Sequence, residues 1–300
     1  MNVRRSGRNL ALSVTRAVGR SLGNDLVVRN MHSPIPQADA LGPDLSSRRA
    51  SLVGLELNAS ADLRFLEEEL ATYVDELAPL EAPAFPGDFE LWNGYYQSVD
   101  VEVLYAMIRR LKPKRVLEVG SGSSTLVTAS ACSRNAAEGH HVEFVAVDPQ
   151  PRRDLSSVPG LTRVERVKAQ DVPLDRYLEL ESNDVLFVDS SHVVKTGSDV
   201  NFLILEVLPR LRPGVVVHFH DIFLPFEYPR AWYDRGTYLN EQYLLHAFLI
   251  GNRDYRVIFA AHALVRAERE RVSELIPSLW ADDDHFPAAF WIERQAAASS

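Results

Sequence analysis

Val116-Leu117-Glu118-Val119-Gly120-Ser121-Gly122-Ser123-Ser124-Thr125 is the stretch that decides the fold class. It predicts a buried strand running into a glycine turn, with a carboxylate two residues ahead of the first glycine. Gly120 and Gly122 are expected to take positive φ and to let the backbone approach a ligand closely. Glu118 stands near the strand's carboxyl end, where open α/β sheets bind ligands.

A dinucleotide fingerprint wants a third glycine three positions after Gly122, where the following helix packs on the strand; Thr125 stands there. An acid ahead of G-x-G makes more sense for a ligand that brings a positive group. Glu118, Gly120, Ser121, Gly122 and Ser124 are therefore the first ligand-binding candidates. The bland alternative is an ordinary turn between strand and helix, and the residues downstream argue against it.

Working outward, Ser98 is a plausible N-cap for an amphipathic helix through Val103, Leu104, Met107, Ile108 and Leu111, closed by Pro113. Before it, Leu63, Leu66, Leu70, Tyr73, Val74 and Leu77 recur at helical spacing against Glu67, Glu68, Glu69 and Asp75, and Pro79 ends that helix. Pro83, Pro86 and Gly87 read as a linker. From Met1 to Asn58 periodicity is low and Pro34, Pro36 and Pro43 break any long element. Arg4, Arg5, Arg8, Arg16 and Arg20 mark this part, and Arg16 interrupts the apolar run too early for a signal peptide. The expected organisation is an arm or flap over 1–58, a helical cap and linker over 59–92, and the main domain over 93–300.

After the glycine turn, short apolar runs alternate with helical segments: 142–147, 161–167, 185–188 and 215–219. Their continuous hydrophobicity predicts strands covered on both faces, hence a parallel sheet and a doubly wound α/β fold with an N-terminal helical extension. Helices are expected over 241–250 and 266–279, and strands over 255–260 and 288–292. Between them, Phe223-Leu224-Pro225-Phe226-Glu227-Tyr228-Pro229, with Trp232, Tyr233 and Tyr238, reads as a loop over a pocket.

The 300 residues, 46% of them hydrophobic, support a substantial core, and a net charge of -9 argues against nucleic acid as a partner. Cys132 is the single cysteine, so no intrachain disulfide forms and a reducing, cytoplasmic setting is expected. No stretch approaches transmembrane length. A homo-oligomer is compatible with this composition, which carries no signal for or against one.

Asp148 ends the second core strand, placed to accept hydrogen bonds from both hydroxyls of a ribose; its alternative is a helix N-cap. Gln170 and Asp171 follow the third strand, facing an adenine or closing a turn. Together, Glu118 to Thr125, Asp148, Gln170-Asp171 and Asp184 to Asp189 resemble the successive motifs of class I S-adenosylmethionine (SAM)-dependent methyltransferases. The resemblance spans 93–294. It implies a seven-stranded, mostly parallel sheet with a reversed final hairpin, SAM as cofactor with its ammonium near Glu118, and Asn93, Gly94 and Tyr95 bordering the methionine end.

Asp189-Ser190-Ser191-His192 ends the fourth strand and Val217-His218-Phe219-His220-Asp221 the fifth, so these ends should be neighbours. Methyl transfer to oxygen needs a base, a metal, or both. The pattern is similar to the metal-dependent branch that includes macrocin and mycinamicin O-methyltransferases and cephalosporin hydroxylase. That resemblance implies Asp189 and Asp221 as metal ligands and His192 as general base. His220 stands where those enzymes carry Glu, so a ligand set of Asp189, His220 and Asp221 favours a softer divalent ion over Mg²⁺, or no metal. Asp189 also borders the cofactor, Lys195 is a reserve base, and His218 is expected in the core. The acceptor is expected to be a small molecule, a sugar or a peptide. Two alternatives remain: an iron-dependent oxidoreductase on the same fold, and a non-catalytic SAM-binding subunit.

Overall fold

Apolar side chains on both faces of a strand require a cover on both faces, and that is how the sheet of this protein is built. The computed structural model describes residues 14–15, 17–21, 23, 32–37, 41–77, 89–281 and 286–296. The arginines Arg4, Arg5, Arg8 and Arg16, the breakers Pro79, Pro83, Pro86 and Gly87, and the tail from 297 lie outside the described residues. Strands β1 (Arg115–Val119), β2 (Glu143–Val147), β3 (Arg163–Glu165), β4 (Val185–Val188), β5 (Val216–Phe219), β6 (Tyr255–Ala260) and β7 (Phe290–Arg294) form a seven-stranded sheet in the order β3-β2-β1-β4-β5-β7-β6. β1 to β5 run parallel, and β7 is antiparallel to both β5 and β6. The doubly wound fold and its reversed final hairpin are as the sequence led us to expect.

Alternate residues of each strand feed two cores. Val116, Phe144, Val185, Phe187, Val216 and Trp291 pack on one face, with helices α1 (Ala59–Phe65), α2 (Ala71–Leu77), α3 (Asp100–Leu111) and α4 (Ser123–Ala137). Leu117, Val145, Leu186, Val217 and Ile292 pack on the other. Further helices among the described residues include α5 (Leu174–Leu178), α6 (Asp199–Phe202), α7 (Arg230–Asp234), α8 (Glu241–Leu249) and α9 (Ala261–Leu275).

The chain divides into two compact units, 46–229 with 239–300, and 1–45 with 230–238. The expected arm is thus split at 45, and Leu66, Leu70 and Leu77 of the expected cap are part of the larger unit's core. In the smaller unit, Arg230 of α7 donates to Leu41 O at 2.8 Å and to Asp234 at 2.9 Å. Trp232, Tyr233 and Tyr238 belong to that unit.

Several local expectations are corrected. Ser98 does not cap α3: Val99 turns the backbone through φ 70, and Ser98 Oγ pairs with Ser278 Oγ at 2.6 Å. β7 begins at Phe290 rather than 288 because the amides of Ala288 and Ala289 both donate to the Asp100 carboxylate at 2.9 Å. α9 starts five residues early, at Ala261, and is kinked at Glu268. Phe223, Phe226 and Tyr228 do not present a surface; they are buried, with Phe223 and Phe226 ring centroids 5.1 and 5.4 Å from His262.

Candidate active site

Parallel register aligns the strand ends. Val119 pairs with Val147 and Val188, and Val188 with Phe219, so Gly120, Asp148, Asp189 and His220 each follow their strand at one edge of the sheet. The strand order reverses beside β1, and the crevice between β1 and β4 is where a doubly wound sheet takes a ligand.

The glycine turn is tighter at its first glycine than at its second. Gly120 has φ 86, and a β-carbon there would meet Asp189 O at 2.0 Å. Gly122 has φ 177, which any residue adopts, and nothing lies within 4 Å of an added β-carbon. The positive φ expected at Gly122 is therefore absent, and its backbone instead starts α4, its amide donating to Thr125 Oγ1 at 2.9 Å.

Glu118 is fully buried. Ser124 donates to its Oε1 at 2.7 Å, while Oε2 has no hydrogen-bond partner among the described residues. Burial pushes its pKa up to about 8, against hydrogen bonds from Ser124 and Thr125. An orphaned buried carboxylate oxygen beside a glycine turn is a socket for a cationic donor. Asp148 lies half-buried one strand away; Ser121 Oγ donates to its Oδ2 and the Gln150 amide to its Oδ1, both at 2.7 Å. Gln170 donates to Gly197 O at 3.0 Å, leaving a buried Oε1 without a partner among the described residues, whereas Asp171 is exposed.

Tyr95 is 67% exposed, with the Arg152 guanidinium 4.7 Å from its ring centroid. The neighbouring Tyr96 is buried instead, its ring 4.8 Å from that of His220 and its hydroxyl without a partner among the described residues. Asn93 shapes this loop by accepting the amides of both tyrosines at 2.9 Å.

At the ends of β4 and β5 the expected residues do converge. His192 Nε2 is 2.9 Å from Asp189 Oδ1 and 3.5 Å from Asp221 Oδ2. His220 Nδ1 is 3.7 Å from Asp189 and 3.5 Å from Asp221. Burial disfavours both imidazolium ions, yet the surrounding carboxylates overcome it and hold both histidines above their ordinary pKa. Hydrogen bonds from the two histidines likewise overcome burial at Asp189 and keep it below the carboxylate range. Asp221 adopts φ 57 and His192 φ 56, strained values for residues with a β-carbon. Lys195 is exposed on the loop before α6. His218 is buried among Phe187, Trp291 and Tyr96, as expected of a core residue.

Asp189, His220 and Asp221 each offer a ligand atom within 4.8 Å of the others, a set able to hold a divalent ion. His220 Nε2 faces Asp100 Oδ2 at 3.4 Å, the outer carboxylate that metal-bound imidazoles commonly have. One imidazole with two carboxylates fits a borderline ion better than Mg²⁺. Asp100, Tyr96 and Glu241, which faces His192 Nδ1 at 2.8 Å, were not among the residues sequence reasoning selected. An acid opening a predicted helix was the available signal for Asp100 and Glu241, and it reads equally well as a helix-dipole partner.

Residues 117–222 match the family model described as a methyltransferase domain. The chain thus carries a methyltransferase domain over that stretch, from within β1 to just past β5. An uncharacterized protein of Archaeoglobus fulgidus is 24% identical over 191 residues, 59% of this chain and 83% of that protein. Among solved structures, the O-methyltransferase TomG of Streptomyces achromogenes, involved in tomaymycin synthesis and in complex with SAM, is 15% identical. That match covers 79% of this chain and 96% of TomG with a TM-score of 0.41. An O-methyltransferase of Bacillus cereus in complex with S-adenosylhomocysteine (SAH) is 12% identical, covering 79% of this chain and 97% of its own, with a TM-score of 0.35.

Proposed function

We propose that this chain is a class I SAM-dependent methyltransferase that transfers the SAM methyl group to an oxygen atom of a small-molecule, sugar or peptide acceptor. The observation that carries the reading is the pairing of a socket for a cationic group at Glu118 with a cluster of titratable groups at Asp189, His192, His220 and Asp221, on adjacent strand ends. Glu118 Oε2 takes the ammonium of SAM, Asp148 its ribose hydroxyls, and Gln170 Oε1 the adenine amino group, with Asp171 at the adenine edge. The acceptor hydroxyl then lies toward Asp189 and Asp221, in line with the sulfonium methyl.

Transfer breaks the S–CH₃ bond, forms an O–CH₃ bond, and requires the hydroxyl proton to leave. His192 is the group proposed to receive it, on Nε2. That nitrogen is hydrogen-bonded to Asp189 and the ring is held above its ordinary pKa, so the role requires Nε2 first to give up its own proton and Asp189 Oδ1 to turn to another partner. A divalent ion held by Asp189, His220 and Asp221 would supply that partner and acidify the acceptor hydroxyl. Lys195, being exposed, is the weaker candidate for the proton.

Calorimetry with SAM and SAH tests the first step: binding in the wild type and its loss in Glu118→Ala are expected, and equal absence in both sinks the reading. Stoichiometric iron in protein purified without added metal, with oxygen consumption, would favour the oxidoreductase alternative, which the two-carboxylate, one-histidine set keeps open.

A further inference from the structure

Glu241, the first residue of α8, is fully buried beside the cluster, and the transfer reading gives it no task. Its Oε2 lies 2.8 Å from Nδ1 of His192, and its Oε1 accepts Ser190 Oγ at 3.3 Å. The same helix start grips the His192 backbone. The amides of Asn240 and Glu241 donate to His192 O at 3.0 and 3.1 Å, and Asn240 Oδ1 accepts the Val194 amide at 2.5 Å. A left-handed φ of 56 at a histidine persists only where the surroundings over-determine it, and here they do.

Burial raises the Glu241 pKa and the His192 contact opposes that rise; in the ion pair of the two at 2.8 Å the carboxylate cannot donate, so the hydrogen between Glu241 and the ring sits on Nδ1. That leaves Nε2 as the nitrogen turned to Asp189 and Asp221. We infer that Glu241 is a positioning residue, which fixes the Nδ1–H and the ring plane of His192 so that Nε2 is the nitrogen presented to the Asp189/Asp221 side. The use made of Nε2 rests on the transfer reading; the orientation of the ring does not.

The experiment is proton and nitrogen NMR of the full chain labelled at histidine nitrogen, with His192 assigned by its loss in His192→Gln. The wild type is expected to show a low-field, slowly exchanging Nδ1–H for His192 in every protonation state of the ring. Glu241→Gln keeps an acceptor without charge, so the resonance should remain and move upfield; Glu241→Leu should lose it. A wild type lacking this proton overturns the inference. So does a resonance unmoved in Glu241→Gln or retained in Glu241→Leu, and the wild-type and glutamine spectra decide the matter even if the leucine variant does not fold. SAH titrated into the same samples separates the two ideas, since failure of SAH to bind rejects the transfer reading and leaves the Nδ1–H result standing.

Discussion

A single unsatisfied oxygen makes Glu118 the most testable residue of the chain. Its pKa of about 8 keeps it largely protonated at neutral pH, and a bound ammonium would favour the carboxylate. SAH binding at pH near 7 should therefore release protons, up to about one per site, seen as a binding enthalpy that changes with the ionisation enthalpy of the buffer. Identical enthalpies in phosphate and Tris would refute this. Glu118→Gln should weaken binding about 10- to 100-fold, the range for hydrogen bonds to charged groups. The two glycines of the turn should also part company. Gly120→Ala forces a β-carbon against Asp189 O at positive φ, and about 2 kcal/mol or more of stability should go with it. Gly122→Ala has an extended φ and open space, so its thermal melt should stay within about 1 kcal/mol of wild type. Similar losses in both would contradict the contrast.

At the level of elements, His218 on β5 tests how much a buried polar side chain costs. Neither ring nitrogen has a partner among the described residues, and burial pushes its pKa well down, so it sits neutral between Phe187 and Trp291. His218→Leu removes two unpaired polar atoms from an apolar place, and denaturant unfolding should find it neutral or more stable by about 1 kcal/mol. A loss of 2 kcal/mol or more would mean the ring has a partner, such as a buried water. The strands themselves were legible because unbroken apolar runs between turn residues leave little choice: β4 and β6 keep the predicted bounds. Ends set by tertiary partners were not, since nothing near Ala288 announces that Asp100 will claim its amide. The same limit applies to the site. Glu118, Asp148, Asp189, His192 and His220 stand at or just after strand ends and could be read from the pattern. Tyr96 could not be told from Tyr95, and Glu241 reaches His192 through a fold contact with no local signature.

The larger unit as a whole carries buried acids that are costly to ionise. Burial pushes Asp62 and Glu102 up to about 7, and Glu118 to about 8. Each folded-state pKa lies above the value in an unfolded chain, so between roughly pH 4.5 and 8 the folded protein holds more protons. Its stability should fall as pH rises through that window, with a melting temperature several degrees lower at about pH 8 than at about pH 5.5. Glu118→Gln should flatten part of the slope, and a melting temperature that climbs toward pH 8 would contradict the assignment. Among the described residues no helix is long and apolar enough to cross a membrane. Asp100 faces His220, yet its carboxylate is pinned by the amides of Ala288 and Ala289, where the chain enters β7. A ribosome that has made β1 to β5 has therefore produced every residue proposed to touch the methyl donor except their final bracing. The nascent chain should gain its reactive centre only after the stretch from 286 to 294 has left the exit tunnel and slotted between β5 and β6.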